Sequence, residues 1–512
     1  MKVPVKYLIG IDIGTSGTKS LITSFQGRIL ATATVEYPVS TPRPGWSEQD
    51  PELWWQGAVR TVHRLLGKTG VRGKDVAWIG LSGQMHGTVL LDRRDRVLRP
   101  AILWNDQRSA AECDEITRII GAKRIIRLLS NPALVSFTAT RLLWVRHHEP
   151  DVYRRTASVL LPKDHVRFRL TGQKATEVSD ASGMLLLDVR KRKWSQTVLR
   201  ELDIDPSWLA DVYESDVAST RVSTRAARET GLAEGTPVVG GGGDQAAGGV
   251  GNGIVHPGVV SATLGTSGVV FAFTEKPLVQ ADGGVQTFCH AVHGKWHVMG
   301  VVMSAGGSLQ WFRNHLGVEE RRIARSRKCD PYEVLTEEAA KAPPGSEGLY
   351  WLPYLTGERT PHRDPFARAA WVGITQRHTK AHLIRALLEG ATYAMRDSLE
   401  IIEDMGIKVK EIRVSGGGAR SRFWRQLQAD IYGRPVLTTS AAEGPAFGVA
   451  LLAGVAAGAW ASVEEACRRT IRVTGETEPS KNRRRYDEFY PLYGKLYRSL
   501  KDDFRAMAAR NR

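Results

Sequence analysis

The chain's 512 residues are too many for one compact core, so two domains are expected. Hydrophobic residues at 42% and charged residues at 24% exclude a disordered or fibrous chain. The net charge of +17 would suit a nucleic-acid binder, but no RNP-type motif, zinc finger or basic arm accompanies it. The densest basic stretches, RRIARSRK (321–328) and KNRRR (481–485), read as solvated helix faces or ends. What remains is a general basic field that draws in small anions such as a nucleotide.

Cys113, Cys289, Cys329 and Cys467 show no CxxC spacing. That argues against a disulfide framework or a zinc site and for a reducing, cytoplasmic setting. The opening MKVPVKYLIGIDIG enters an alternating strand with no long apolar run ahead of it. The longest apolar run, PAFGVALLAGVAAGAW (445–460), has sixteen residues, three of them glycine. It falls short of the roughly twenty needed to span a bilayer and is predicted to be a buried helix against a sheet. Neither a membrane nor a nucleic acid is an expected partner.

In chain order, YLIGIDIG (7–14) is predicted as a buried strand that runs into the tight turn GTSGTK. SLITSFQGRILATATV (20–35) follows as a hairpin with its turn near Gln26 and Gly27. Antiparallel strands after that first turn are not a dinucleotide-binding start, and neither GxGxxG nor GxxxxGK[ST] occurs there. DPELWW (50–55) opens a helix, with Asp50 as cap, Pro51 at the first position and Glu52 at the positive end. VAWIGLSGQ (76–84) and PVVGGGGDQ (237–245) are short apolar strands that end in glycines.

The second half repeats the theme. VVSATLGTSGVVFAF (259–273) is strand, Gly-Thr-Ser-Gly turn, strand. IRVSGGGARSRFWRQLQADIYG (412–433) is strand, glycine turn, then a helix beginning near Ser421. The domain boundary is placed in GNGIVHPG, between residues 1–254 and 255–512. A glycine turn lets several backbone N–H groups point at one phosphate, and Thr and Ser hydroxyls add donors without bulk. One GTSG turn alone is ordinary hairpin vocabulary. Two of them, with Asp12 before the first and GGGDQ between, describe a clamp that grips one nucleotide from both lobes.

The chain resembles the FGGY carbohydrate kinase family, and within it the xylulokinase branch. The matching stretches include IGIDIGTSGTK (9–19), GWSEQDPELWW (45–55), GLSGQMHG (80–87), LRPAILWNDQR (98–108), LLPKDHVRFRLTG (160–172), GGGDQAAGGVG (241–251), LGTSGVVF (264–271), YWLPYLTGERTPHRDP (350–365) and SGGGARSRFWRQLQAD (415–430). The likeness spans residues 7 to about 455, and GQMHG is its most specific segment. One departure is Arg141, which stands in SFTATRLLWVRHH where the family usually has lysine; that exchange keeps charge but not geometry.

The resemblance implies an α/β protein with the two-lobed actin and hexokinase-like ATPase fold, built from duplicated ribonuclease H-like domains around a central nucleotide cleft. It implies ATP-dependent phosphorylation of an open-chain pentulose, D-xylulose to D-xylulose 5-phosphate, with ATP and Mg²⁺ and a homodimeric assembly. Asp244 is the expected general base for the sugar hydroxyl, against the commoner role of an Asp as a helix cap. Asp12 is the expected Mg²⁺ ligand, with Asp244 as the second carboxylate near the ion; Mg²⁺ takes one or two carboxylates plus phosphate oxygens. Only one lobe has to supply the first of these, so only the first turn carries an aspartate.

Thr15, Ser16 and Thr18 are the expected phosphate donors of the first turn, and Lys19 either reaches the phosphates or is a solvated strand residue. From the second lobe, Gly265 and Thr266 are assigned to the β- and γ-phosphates, Gly306 and Gln310 to the nucleotide's flank, and Gly417, Gly418 and Arg422 to adenosine. Met85, His86, Asp244 and Gln245 are assigned to the sugar. Trp104 and Asp106 either complete that pocket or, for the Trp, belong to the core. TGERTPHRDP (356–365) has no role beyond a loop stiffened by two prolines. The rival readings are a kinase for ribulose, gluconate or glycerol, and an actin- or chaperone-like ATPase with a protein partner.

Overall fold

The computed structural model describes residues 6–441 and 443–510. Its first sheet begins with β1 (Tyr7–Ile13), β2 (Gly17–Ser24) and β3 (Ile29–Glu36), an antiparallel meander with Gly27 in the left-handed region at the predicted turn. Asp50 caps helix α1 (Pro51–Thr69) by accepting the Glu52 N–H at 2.9 Å, as the sequence predicts. The chain then returns in β4 (Val76–Gly83), parallel to β1. β5 (Ala218–Arg221) and β6 (Pro237–Val239) extend the sheet beyond β4, and the two-residue β7 (Gly242–Gly243) pairs with the end of β4.

The second sheet repeats this plan. β8 (Val259–Leu264) and β9 (Gly268–Thr274) form a tight hairpin, and β11 (Trp296–Val302) with β10 (Gln286–Cys289) continues it antiparallel. β12 (Glu411–Gly416) lies parallel to β8 as β4 lies parallel to β1. β13 (Val436–Thr439) and β14 (Val473–Thr477) complete seven strands. Both sheets therefore run meander first and parallel return second, the duplicated α/β plan expected from the sequence.

The apolar run forms helix α2 (Gly444–Ala456), which lies across the first sheet although it comes from the C-terminal half. Glycines make this approach possible. A Cβ on Gly10 would stand 1.9 Å from the Ala446 carbonyl oxygen, and one on Gly80 would stand 2.0 Å from that of Val449. Strand backbone thus packs directly on helix backbone where the two strands carry glycine at the crossing. Among the described residues no helix is long and apolar enough to cross a membrane.

Candidate active site

β1, β4 and β7 end side by side. Asp12 pairs with Ser82, and Ser82 pairs with Gly242, so two strand spacings of about 4.8 Å each separate Asp12 from the stretch that leads into Asp244. Asp244 is the first residue of a helix spanning Asp244–Gly251, where Gly243 holds the cap position. Its carboxylate is not the cap; it accepts from the Gln245 backbone and side chain instead, and burial plus the negative charge of Asp12 push it up to about 7. Burial pushes Asp12 up to about 6. Asp12 Oδ1 is buried without a protein partner among the described residues. Two crowded carboxylates with an orphaned oxygen are what a hard divalent cation relieves, so the donor set fits Mg²⁺ with phosphate oxygens and water completing the shell.

Met85 and His86 sit in a tight turn just beyond β4, closed by the Gly87 N–H donating to the Met85 oxygen at 2.9 Å. Met85 packs over Gly243, where a Cβ would come within 2.9 Å of its Cγ, so the turn lies directly beside the start of the Asp244 helix. His86 has φ 71°, a conformation a non-glycine residue rarely holds outside functional or tightly determined sites. Its ring stands 5.1 Å from Phe137 and 6.2 Å from Phe288 between centroids. Nδ1 lies 2.8 Å from the Gly183 carbonyl, which can only accept, so Nδ1 carries the proton and Nε2 offers a lone pair. Burial holds the ring's pKa down to about 3, so this tautomer is neutral throughout the ordinary pH range.

The second turn opens onto a cavity of ≈ 980 Å³. Gly265, Thr266, Gly306, Gln310, Gly417, Gly418 and Arg422, named from separate stretches of sequence, all line it. Backbone proximity builds its floor: the Gly306 and Gly307 N–H groups donate to the Gly265 and Thr266 oxygens at 2.9 and 2.8 Å. A Cβ on Gly306 would stand 2.2 Å from the Gly265 oxygen. Sequence reasoning missed the opposite wall, the helix Pro331–Ala339, which brings Tyr332, Glu333, Thr336 and Glu337 to the same cavity. No motif marks that helix; its only signal is the Asp330–Pro331 cap.

Several first-lobe assignments need correction. Thr18 is fully buried, and because the Tyr37 hydroxyl donates to the Gly14 oxygen, Thr18 must donate to Tyr37 rather than to a phosphate. Thr15 spends its hydroxyl proton on Gln84 at 3.0 Å while accepting from the Trp104 indole at 3.0 Å. Its side chain is therefore no phosphate donor in this arrangement, although the turn's exposed Ser16 is free to serve. Lys19 pairs with Glu443 ahead of α2 and so ties the first hairpin to that helix, a contact neither of its two readings named. Asp106 is fully buried and saturated by the Ser47 N–H and by Arg108, so it cannot face a sugar. Trp104, half-buried, has only its ring face left for a ligand. Gln245 donates to the Asp244 carboxylate from its backbone and side chain.

A model of the N-terminal domain of the FGGY family of carbohydrate kinases matches residues 7–251, and one of its C-terminal domain matches residues 260–457. The chain is 42% identical over 450 residues to the xylulose kinase of Escherichia coli, covering 88% of this chain and 90% of that one. It is 37% identical over 499 residues to the xylulose kinase of Bacillus subtilis, covering 97% and 98%. The crystal structure of the xyloylose kinase from Brucella ovis superposes with a TM-score of 0.88 at 35% identity, covering 97% and 99%.

Proposed function

Because the chain belongs to the FGGY family of carbohydrate kinases, we propose that it transfers the γ-phosphoryl group of ATP to the terminal hydroxyl of D-xylulose, giving D-xylulose 5-phosphate and ADP. The observation that carries this reading is the placement of Asp244. It stands at a strand-to-helix junction with Asp12 two strands away on one side and the Met85–His86 turn packed against Gly243 on the other. A buried carboxylate at that junction is placed to take the hydroxyl proton.

The roles divide by position. Asp244 accepts the proton as the oxygen of the sugar attacks phosphorus. Gln245 holds that carboxylate in place. Met85 supplies the apolar wall that orients the acceptor carbon, and His86 Nε2 accepts a hydroxyl proton farther along the sugar. Asp12, with Asp244 nearby, would hold Mg²⁺, which neutralises charge on the transferring phosphates when bound. Thr266 and the flanking glycines grip the β- and γ-phosphates, while Gln310, Gly417, Gly418 and Arg422 surround the nucleoside.

The lobe boundary at 254/255 belongs to the same reading; it falls between β7 with its following helix and β8, although α2 crosses back onto the first sheet. A cytoplasmic homodimer completes the proposal, supported by four unpaired cysteines and by the family likeness. ADP release measured with Mg-ATP against ketoses, polyols and aldonates tests the substrate. Preferred turnover of glycerol or an aldonate would overturn D-xylulose. D244A tests the base: turnover is expected to drop at least about 100-fold with ADP affinity retained, and retention of a tenth of the wild-type rate would remove Asp244 from that role.

A further inference from the structure

Gly243 opens the Asp244 helix but has no side chain with which to cap it. What fixes its backbone comes from a distant segment. The Gly243 N–H donates to Glu177 Oε1 at 3.2 Å and to Ser179 Oγ at 3.1 Å, 66 and 64 residues earlier in the chain. Glu177 ends the strand Ala175–Glu177 and caps the short helix Val178–Ala181, accepting the Ser179 and Asp180 N–H groups at 2.7 and 2.8 Å. The Ser179 and Ser215 hydroxyls donate to the same carboxylate, both at 2.9 Å. Its two oxygens thus take five donors, and the side chain is fully buried. The Lys163 ammonium, equally buried, stands 3.8 Å from Oε1 and supplies a counter-charge. A carboxylate so enclosed by donors is held in one position.

Glutamate is an unusual cap; Asp, Asn, Ser and Thr are the side chains that best reach a helix's own first N–H groups. The extra methylene of Glu177 carries Oε1 beyond its own helix to Gly243. The far end of the same segment meets the sugar end of the site. There the Gly183 oxygen holds His86 Nδ1 at 2.8 Å, and a Cβ on Gly183 would stand 2.5 Å from that nitrogen. One stretch, 177–183, therefore fixes both the start of the base's helix and the ring assigned to the sugar. We propose that Glu177, together with Ser179, is a positioning residue of the reaction: it fixes the Gly243 N–H and thereby the place of the Asp244 carboxylate on the acceptor hydroxyl. This rests on the reading of Asp244 as the base and adds what aims it.

The test compares wild type, S179A, E177D, the double variant and S215A by turnover of D-xylulose with Mg-ATP and by calorimetry with D-xylulose and with ADP. E177D keeps a carboxylate that can cap its own helix and shortens the reach to Gly243. S215A removes a donor from the same carboxylate without touching Gly243. Each single variant at the Gly243 N–H is expected to lower kcat roughly 3- to 10-fold, and the double variant, which leaves that N–H without an acceptor, roughly 10- to 100-fold. Affinities for D-xylulose and ADP should stay within about threefold of wild type, and kcat of S215A within about twofold. Should E177D not fold, S179A against S215A decides alone. Equal kcat in S179A and S215A, or affinity for D-xylulose lost in step with kcat, would overturn the inference and leave the kinase reading standing. D244A turnover at about a tenth of the wild-type rate or more would overturn both.

Discussion

Arg141 donates from Nη1 to the backbone oxygen of His86 at 2.8 Å, and the Thr138 hydroxyl donates to the same oxygen at 3.0 Å. These two bonds hold His86 in its left-handed conformation and so aim its ring. Arg141 is fully buried, and its Nε and Nη2 have no partner among the described residues. Burial holds its pKa down to about 9. An unsatisfied buried donor costs about 1–3 kcal/mol, so R141M, which keeps bulk and removes the donors, is expected to melt no lower than wild type. Its KM for sugar should rise severalfold because the His86 oxygen loses one of its donors, while kcat stays close to wild type. A lower melting temperature with an unchanged KM would make Arg141 purely structural.

The sequence exposes those features whose chemistry is local. The two GTSG turns, the Asp50 cap and the glycines before Asp244 each state their conformation in neighbouring residues, and each forms as written. The failures are residues whose partners lie far along the chain. Thr18 looks like a turn hydroxyl until Tyr37 takes it, and Asp106 looks like a pocket acid until Ser47 and Arg108 saturate it. Lys19 finds Glu443 more than four hundred residues away, a pairing fixed by the packing of α2 on the first sheet. The TGERTP loop is unreadable for the same reason: it is held by hydrogen bonds to Gly284, Val301 and Met303, none of them adjacent in sequence.

Asp12→Asn tests the metal assignment. The substitution keeps volume and removes one of the few carboxylates available to a hard cation. Half-maximal activity is expected to need roughly 10-fold more Mg²⁺ or beyond, with sugar affinity in the absence of nucleotide unchanged. An unaltered Mg²⁺ titration would make Asp12 a strand-end residue with no metal role.

Glu358 gives the loop a pH dependence whose sign can be worked out. Burial pushes its carboxyl from an ordinary value of 4.5 up to about 8, and Oε2 is buried without a partner. Between those values the folded chain holds a proton that the unfolded chain has released. The contribution of Glu358 to stability is therefore complete below the lower value and is lost as pH rises through the upper one. Over that window the loss amounts to on the order of 5 kcal/mol. E358Q retains the Oε1 acceptor for the Met303 and Arg359 N–H groups but cannot titrate, so denaturant midpoints measured from about pH 5 to about pH 9 should fall less steeply in the variant. Parallel profiles for the two proteins would show that Glu358 ionises in the fold as it does in the unfolded chain, with no raised pKa.

The sharpest separation between the two halves of the site comes from His86. Alanine there would confound two effects, because histidine and asparagine are enriched at positive φ and alanine is not, so loss of the ring would come with a less tolerant backbone at φ 71°. Asparagine tolerates that conformation and lacks the reach of the imidazole, so H86N is the cleaner variant. If Nε2 accepts a sugar hydroxyl, that hydroxyl is left unpaired in an enclosed pocket, and KM for the sugar should rise roughly 5- to 100-fold. ADP affinity without sugar should not move, because the cavity around Thr266, Gly306 and Gly417 is lined by residues of the C-terminal half alone. Neutral imidazole also means that H86N should leave the pH dependence of KM between about pH 5 and about pH 8 unchanged in shape, since burial keeps the ring's pKa down to about 3. Unchanged sugar kinetics in H86N would return His86 to the aromatic packing of Phe137 and Phe288 and leave the ring face of Trp104 as the remaining candidate for sugar contact.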